Sequence, residues 1–115
     1  MRWLEIEKEM LRGYIDPIIL SLLSEQDRYG YDLSKEAKKR SNEQFELKEG
    51  TLYLAFKRLE KNNFVSSYWQ EGSAARRKYY TITDLGRTHL ARKKEEWAFI
   101  KKLMDTFYEG ANPHE

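Results

Sequence analysis

The sequence contains no cysteine, only two histidines and no long apolar run. Without cysteine there is neither a disulfide framework nor a thiolate zinc site. The histidines, His89 and His114, lie too far apart in sequence to indicate a metal site. No apolar segment approaches the ~20 residues that span a bilayer, and the first residues alternate charged and apolar side chains, unlike a signal peptide. We therefore expect a cytoplasmic protein without membrane contact.

The sequence also lacks the side-chain combinations that most enzymes use. It has no cluster of histidines and carboxylates, no cysteine nucleophile and no glycine-rich phosphate loop, because its six glycines are isolated. We expect neither catalysis nor a bound cofactor.

The charge is distributed unevenly along the 115 residues. The chain is 40% hydrophobic and 35% charged, which is typical of one folded domain rich in exposed charge. Residues 50–80 carry a net charge of +4, whereas residues 1–49 carry −2 and residues 81–115 carry 0. Such local clustering of positive charge indicates a partner that is a nucleic acid.

The first half of the chain has helical periodicity. Residues 2–24 are predicted to be mainly helical, with Pro17 either kinking one helix or starting a second one that Asp16 caps. A connector over residues 25–31, broken at Gly30, precedes a second helix at residues 32–40, in which Leu33 and Ala37 face inward.

The third helix is predicted over residues 50–62 and has two distinct faces. At 100° per residue, one face collects apolar side chains for the core: Leu52, Ala55, Phe56 and Leu59. The opposite face collects the candidate DNA contacts: Tyr53, Leu54, Lys57, Arg58 and Lys61. Thr51 is suited to the first turn as a cap or as a donor to phosphate, and the pair at residues 62–63, both asparagine, ends the helix.

A β-hairpin follows directly. Residues 65–70 and 77–83 are rich in β-formers, and residues 71–75 form the tip. Of the basic side chains Arg76, Arg77 and Lys78, Arg76 lies at the tip as the first candidate for a phosphate contact, and alternation puts Arg77 and Lys78 on opposite faces of the return strand. They are either phosphate contacts or a device for solubility. A basic helix followed by a basic hairpin is the layout of a winged helix-turn-helix, in which the helix enters a DNA groove and the hairpin follows the backbone.

The last helix is predicted from Asp84 to Tyr108, after Thr83 as its cap. Its apolar residues repeat at heptad spacing, with Lys93 as the misfit, and the N-terminal segment has a matching stripe. We infer a homodimer joined through the terminal helices. The predicted interface residues are Trp3, Ile6, Leu90, Trp97, Ile100, Met104 and Phe107. Residues 1–83 thus form the winged helix-turn-helix domain, residues 84–110 the dimerisation helix of the same compact unit and residues 111–115 a tail.

Several motifs together resemble a known family. The segments LRGYIDPIILSLLSE, YGYDL, EGTLYLAFKRLEKNNFV and ARRKYYTITDLGR, over roughly residues 10–90, are similar in order and spacing to the PadR family of transcriptional regulators. The length and the single C-terminal helix resemble its short-form subfamily, and most of all the multidrug-sensing LmrR type. Leu54 stands where many members have proline, which predicts a more regular third helix.

The resemblance implies a flat hydrophobic pore between the C-terminal helices of a dimer, in which a tryptophan stacks on planar drugs. Trp97 stands at that position. The other pore residues implied by the resemblance are Met10, Gly13, Asp16, Pro17, Ile100 and Lys101. The expected ligand is a small aromatic or cationic drug-like molecule, although Asp16 favours a cation and Lys101 opposes one. Trp97 is otherwise a packed interface residue.

These observations predict a dimeric regulator that binds a pseudo-palindromic double-stranded DNA operator, as a repressor of a transporter or detoxification gene relieved by the ligand. Tyr31, at the start of the second helix, is either a phosphate contact or a residue packed against the wing. Two alternatives stay open. The chain could be a winged-helix module for protein–protein interaction, or a DNA-binding regulator without a small-molecule ligand.

Overall fold

The computed structural model describes residue 11, residues 13–72 and residues 75–110. The elements follow the order α1 (Ile15–Glu25), β1 (Arg28–Tyr29), α2 (Gly30–Arg40), α3 (Glu49–Lys61), β2 (Val65–Glu71), β3 (Arg76–Ile82) and α4 (Asp84–Tyr108). This mainly helical chain with a small hairpin wing and a long final helix confirms the predicted fold class.

The core lies between α1, α2, α3 and the sheet. Each helix contributes one apolar stripe, and the largest fully buried side chains are Ile19, Leu20, Leu23, Leu33, Leu47 and Leu59. The predicted core face of α3 is confirmed, since Leu52, Ala55, Phe56 and Leu59 are all buried. On the sheet side, the rings of Phe56 and Tyr80 stack with centroids 3.6 Å apart. Burial of one stripe per helix leaves the opposite face of α3 in solvent.

The strands form an antiparallel sheet of order β1-β3-β2. Strand β1 was not predicted, because Arg28 and Tyr29 fall in the expected connector, and Gly30 begins α2 instead of breaking the chain. The short strand pairs with Tyr79 and Tyr80, which lie about fifty residues further along the sequence, so no local pattern indicates it.

Arg28 explains why this connector is ordered. Its side chain is buried and donates to the Leu22 carbonyl at 3.0 Å, to Asp32 at 3.0 Å and to Glu25 at 2.9 Å. Glu25 also accepts from Arg40, and hydrogen bonds from Arg40 and Arg28 lower the pKa of the Glu25 carboxyl to about 2. The end of α1 is thereby tied to both ends of α2.

Helix termini confirm some predicted caps and correct others. The Thr83 hydroxyl accepts from the Gly86 amide at 2.9 Å, and Asn63 takes the left-handed conformation after α3, both as predicted. Asp16 and Thr51 are not caps, because α1 begins at Ile15 and α3 at Glu49, so both residues lie inside the first turn. Pro17, the third residue of α1, replaces an amide that has no partner within the helix.

Helix α4 lies beside α1 as far as Trp97 and Ile100 and then extends beyond the body of the protein. Gly86 is buried against the sheet, where a β-carbon would overlap the Phe64 carbonyl oxygen, and Leu90 lies in the core. A helix of 25 residues is about 37 Å long, and its last turns extend past the core, with no buried residue described after Leu90. The principal extents of 63 × 33 × 21 Å reflect this projection. In the described part of the chain, every helix is too short or too polar to cross a bilayer.

Candidate nucleic-acid interface

The exposed face of α3 carries a compact polar surface. Tyr53 and Leu54 are each about three-fifths exposed, and Lys57 extends beside them with its Nζ 5.4 Å from the Tyr53 ring centroid. Lys61 is exposed one turn further on. The predicted candidates Tyr53, Leu54, Lys57 and Lys61 therefore share one solvent-facing side of α3, with Thr51 exposed in its first turn.

Arg58 differs from the other candidates on this helix. Its guanidinium donates to both carboxylate oxygens of Asp16 in α1, at 2.7 and 3.2 Å. These hydrogen bonds raise the pKa of Arg58. Both side chains are partly exposed, so the pair stabilises the fold by only about 0.2–1 kcal/mol. Two residues predicted for separate sites, DNA and ligand, are joined to each other here.

The hairpin register fixes which wing side chains share a face. Lys78 lies opposite Trp69 and Arg77 lies opposite Gln70. Arg77 covers the Tyr29 ring at 4.6 Å on the outer face, whereas Lys78 lies between the Trp69 and Tyr80 rings, at 5.9 and 5.7 Å. The predicted alternation of Arg77 and Lys78 is confirmed.

Trp69 stands out among the wing residues. Its ring is 56% exposed, and the Arg76 guanidinium carbon lies 4.7 Å from its centroid. At exposed sites each cation–π contact contributes about 0.5–1 kcal/mol. The sequence alone indicates only that Trp69 favours a β-strand. The signal that identifies it is its place opposite Lys78, and that requires the exact hairpin register.

A cleft of about 630 Å³ separates the inner face of the wing from α3 and the start of α2. The side chains that line it include Tyr31, Tyr53, Phe56, Trp69, Arg76 and Lys78. Tyr31 is 68% exposed and stacks on Tyr29, with centroids 6.3 Å apart. Cations pair with phosphates, and aromatic rings contact sugars or bases. The cleft therefore has the chemistry required to hold one nucleic-acid strand.

A second cavity, of about 490 Å³, lies between α1 and α4. Four of the predicted ligand residues line it: Gly13, Pro17, Trp97 and Ile100. Asp16 and Lys101 do not belong to its lining, because Asp16 turns towards Arg58 and Lys101 lies 3.7 Å from Asp105. Met10 lies outside the described residues.

Tyr14 is one of seven lining residues that were not among the predicted ligand contacts. Its ring meets Trp97 edge to face with centroids 5.8 Å apart. The apolar floor is completed by Ile18 and Leu90, and Lys93, Lys94 and Glu96 add charge at its α4 side. Tyr14 belongs to the turn before α1, so helical periodicity does not connect it with Trp97.

The predicted dimer residues fall into three groups. Trp97, Ile100 and Phe107 are exposed along one side of α4, and Met104 is half-buried between them. Leu90 is only 4% exposed and lies in the core of the protomer, which leaves little of its side chain for a partner. Trp3 and Ile6 lie outside the described residues.

Comparison with known proteins places this architecture. The family model described as "Transcriptional regulator PadR-like family" matches residues 19–92. The chain is 44% identical over 106 residues to an uncharacterized protein of Lysinibacillus sphaericus, covering 91% of this chain and 97% of that protein.

Two solved structures agree in both sequence and fold. A transcriptional regulator from Clostridium thermocellum has 47% identity and a TM-score of 0.80, covering 86% of this chain and 97% of that one. A PadR family transcription regulator from hypervirulent Clostridium difficile has 48% identity and a TM-score of 0.73, covering 84% of this chain and 99% of that one. The chain therefore belongs to the PadR-like family of DNA-binding transcriptional regulators.

Proposed function

We propose that the protein is a homodimeric repressor of a transporter or detoxification gene, released from its operator by a small planar hydrophobic ligand. The observation that carries this proposal is the apolar cavity beside Trp97, which opens next to a stripe of exposed apolar side chains on α4. A cavity of this size is in the range of small-molecule sites. Its position lets one ligand contact both the cavity and whatever covers the stripe.

The α3 helix and the wing are the proposed DNA-contacting surface. Lys57, Tyr53 and Leu54 are suited to base edges, since all three are exposed on one side of the helix, and Leu54 fits a thymine methyl group. The hydroxyls of Thr51 and Tyr31 and the cations of the wing are suited to phosphates. In a dimer, two α3 helices would enter successive major grooves about 34 Å apart.

The second copy of the chain is the proposed partner of α4. Trp97, Ile100, Leu103 and Phe107 are each at least 40% exposed, and they recur at helical spacing along the projecting part of the helix. Contiguous apolar surface of this kind marks an interface in a folded protein. A symmetric pairing of α4 helices would bury the same stripe on both protomers.

The ligand is proposed to bind flat against the Trp97 indole, with Tyr14 holding the ring at its edge. Lys93, Lys94 and Glu96 around the cavity supply charge of both signs, so the geometry favours an aromatic ligand without fixing its charge. Asp16 and Lys101 do not line the cavity, so neither the attraction of Asp16 for a cation nor the repulsion by Lys101 bears directly on the ligand.

The Asp16–Arg58 ion pair is the proposed link between the two sites. Helix α1 carries Pro17 and Ile18 in the cavity lining and Asp16 on the Arg58 guanidinium of α3. A ligand that moves the start of α1 would therefore move α3 as well. Such a ligand lowers DNA affinity only if it binds the low-affinity arrangement better than the high-affinity one.

The test is a titration with a planar aromatic dye such as Hoechst, followed by tryptophan fluorescence in wild type, Trp97→Ala and Phe99→Ala. Phe99 is the matched control, because it is an exposed aromatic residue of α4 outside the cavity lining. We expect strong quenching in wild type and in Phe99→Ala, and none in Trp97→Ala, while sedimentation shows that all three remain dimers. The dye should also release the protein from its operator.

Two outcomes would redirect the proposal. Absence of quenching by several planar dyes, with loss of the dimer in Trp97→Ala, would identify a regulator whose Trp97 is interface packing. Less than about 10-fold preference for an operator over scrambled duplex, against the ~10³ or more of a specific regulator, would favour a module for protein–protein interaction.

A further inference from the structure

Trp69 is an exposed aromatic residue in the middle of the wing. It lies in β2 on the face directed to α3, and its ring is one wall of the 630 Å³ cleft. Tryptophan is enriched at interfaces relative to the rest of a protein surface. The proposed pairing of α4 helices does not account for the exposure of Trp69, because Trp69 lies on the wing.

The contacts of Trp69 are with the two cations of the inner wing face. Arg76 lies 4.7 Å and Lys78 5.9 Å from the indole centroid. Free arginine and lysine side chains sample many rotamers, which must be restricted when they bind phosphate. Contact with the indole restricts them beforehand, so less conformational entropy is lost when DNA binds.

The cleft also gives the indole an approach to DNA. Tyr53 of α3 and Tyr31 of α2 lie across the cleft from the wing. A DNA backbone alternates charged phosphates with deoxyribose rings, so a flat apolar ring between two cations matches its chemistry.

We propose that Trp69 contacts DNA, packing its indole against the sugar of one strand while it positions Arg76 and Lys78 on the flanking phosphates. This inference rests on the proposed use of α3 and the wing as the DNA-contacting surface. It assigns to an aromatic residue a role in affinity for any duplex, because sugars and phosphates carry no base sequence.

Glu71 is an acidic neighbour of Arg76 and offers a second test of the proposed contact. Its carboxylate lies 3.6 Å from Arg76, directly across the hairpin, and it is highly exposed. In the DNA complex this carboxylate would compete with phosphate for the Arg76 guanidinium. Replacing Glu71 by glutamine should therefore increase affinity for both specific and scrambled duplex by about two- to fivefold, in the range of an exposed ion pair.

The experiment measures fluorescence anisotropy of labelled operator and scrambled duplex with the full-length wild type, Trp69→Ala, Trp69→Phe, Tyr68→Ala and Glu71→Gln. Tyr68 is the matched control, since it is the adjacent aromatic of β2 and faces the opposite side of the sheet. Thermal unfolding of every variant shows whether the hairpin still folds.

We expect Trp69→Ala to weaken both duplexes by about tenfold, because the ring contact is lost and the two cationic side chains must then be ordered when DNA binds. Trp69→Phe should recover most of the loss, Tyr68→Ala should change affinity little, and Glu71→Gln should bind more tightly. In an Arg76→Ala/Lys78→Ala background, Trp69→Ala should cost clearly less than in wild type, because the cations that it positions are gone.

Three results would overturn the inference: unchanged affinity in Trp69→Ala, an equal loss in Tyr68→Ala, or full additivity in the double-alanine background. If Trp69→Ala does not fold, failure of Glu71→Gln to gain affinity counts against it. Failure of the proposed function is distinguishable. If α3 and the wing do not bind DNA at all, Lys57→Ala is also without effect. If Lys57→Ala weakens binding but Trp69→Ala does not, α3 still contacts DNA and only the role of Trp69 is wrong.

Discussion

Helices α3 and α4 have similar amphipathic patterns but very different surroundings. In α3 the apolar face is buried within the protomer, and the exposed face is polar apart from Leu54. In α4 only Gly86 and Leu90 are buried among the described residues, and the apolar side chains from Trp97 onward are exposed except Met104, which is half-buried. A single chain therefore buries the apolar face of α3 but leaves much of the apolar surface of α4 in solvent. A polar and basic face suits DNA, whereas an apolar face suits protein.

The largest effect is expected when charge is placed on the apolar stripe of α4. Ile100→Glu combined with Phe107→Glu should convert the dimer to a monomer, because buried carboxylates without partners are costly. Operator affinity should then fall by about 10²–10⁴-fold, the usual gain from two linked binding sites. Sedimentation velocity and DNA anisotropy measure the two effects.

The control for that variant is Lys102→Glu, which places a carboxylate on the opposite side of the same helix. It should remain a dimer with nearly unchanged DNA binding. A dimer that survives the double substitution on the stripe would show that α4 is not the interface.

The exposed face of α3 should respond to a different kind of change. Lys57→Ala should weaken operator binding by about 1–3 kcal/mol, roughly 5- to 150-fold, and reduce the preference over scrambled duplex. The dimer and the melting temperature should not change, since Lys57 is exposed. Equal weakening on all sequences would rule out base readout by Lys57, and Lys102→Ala provides the matched loss of a lysine.

The wing should act without sequence preference. Arg76→Ala should weaken operator and scrambled duplex alike, by several-fold, and lower the slope of log affinity against log salt by about one unit. Salt titrations of both duplexes measure this slope. If the variant selects a different sequence, Arg76 reads bases and the assignment to phosphate is wrong.

The smallest expected effect concerns the link between the two regions. Asp16→Asn should leave DNA affinity without ligand within about threefold, because an exposed ion pair contributes little. The ratio of DNA affinity without dye to DNA affinity with dye should be several-fold smaller in Asp16→Asn than in wild type, since coupling between sites usually amounts to 5- to 150-fold. Glu36→Gln, which removes a carboxylate from the Arg40 pair in α2, is the control. Undiminished coupling in Asp16→Asn would exclude the ion pair as the link.

Sequence reasoning was accurate where structure depends on neighbours in the chain. The bounds of α3 and α4 lie within one residue of the prediction, because the apolar period, Thr83 and Asn63 are local signals. Strand β1 was not predicted, because it pairs with Tyr79 and Tyr80, which are about fifty residues away in sequence. Two-residue strands leave no periodicity to read.

For the candidate sites, helical periodicity predicted which side chains share a face of α3 but not which distant segments meet. Tyr53, Leu54 and Lys57 share a face as periodicity requires. The pairing of Arg58 with Asp16, the contact of Tyr14 with Trp97 and the place of Trp69 between two cations all join distant segments. Such contacts depend on how helices and strands are arranged in three dimensions, which one sequence does not specify.

Selection of binding sites from random DNA duplexes by the purified protein would show whether two paired α3 helices read DNA. We expect enrichment of a pseudo-palindrome with half-sites about one helical turn apart. That site should bind at least ~10³-fold more tightly than scrambled duplex, with the preference reduced in Lys57→Ala. Enrichment of no motif, or of a single half-site bound equally well by the Ile100→Glu/Phe107→Glu variant, would contradict a dimer that reads DNA through paired α3 helices.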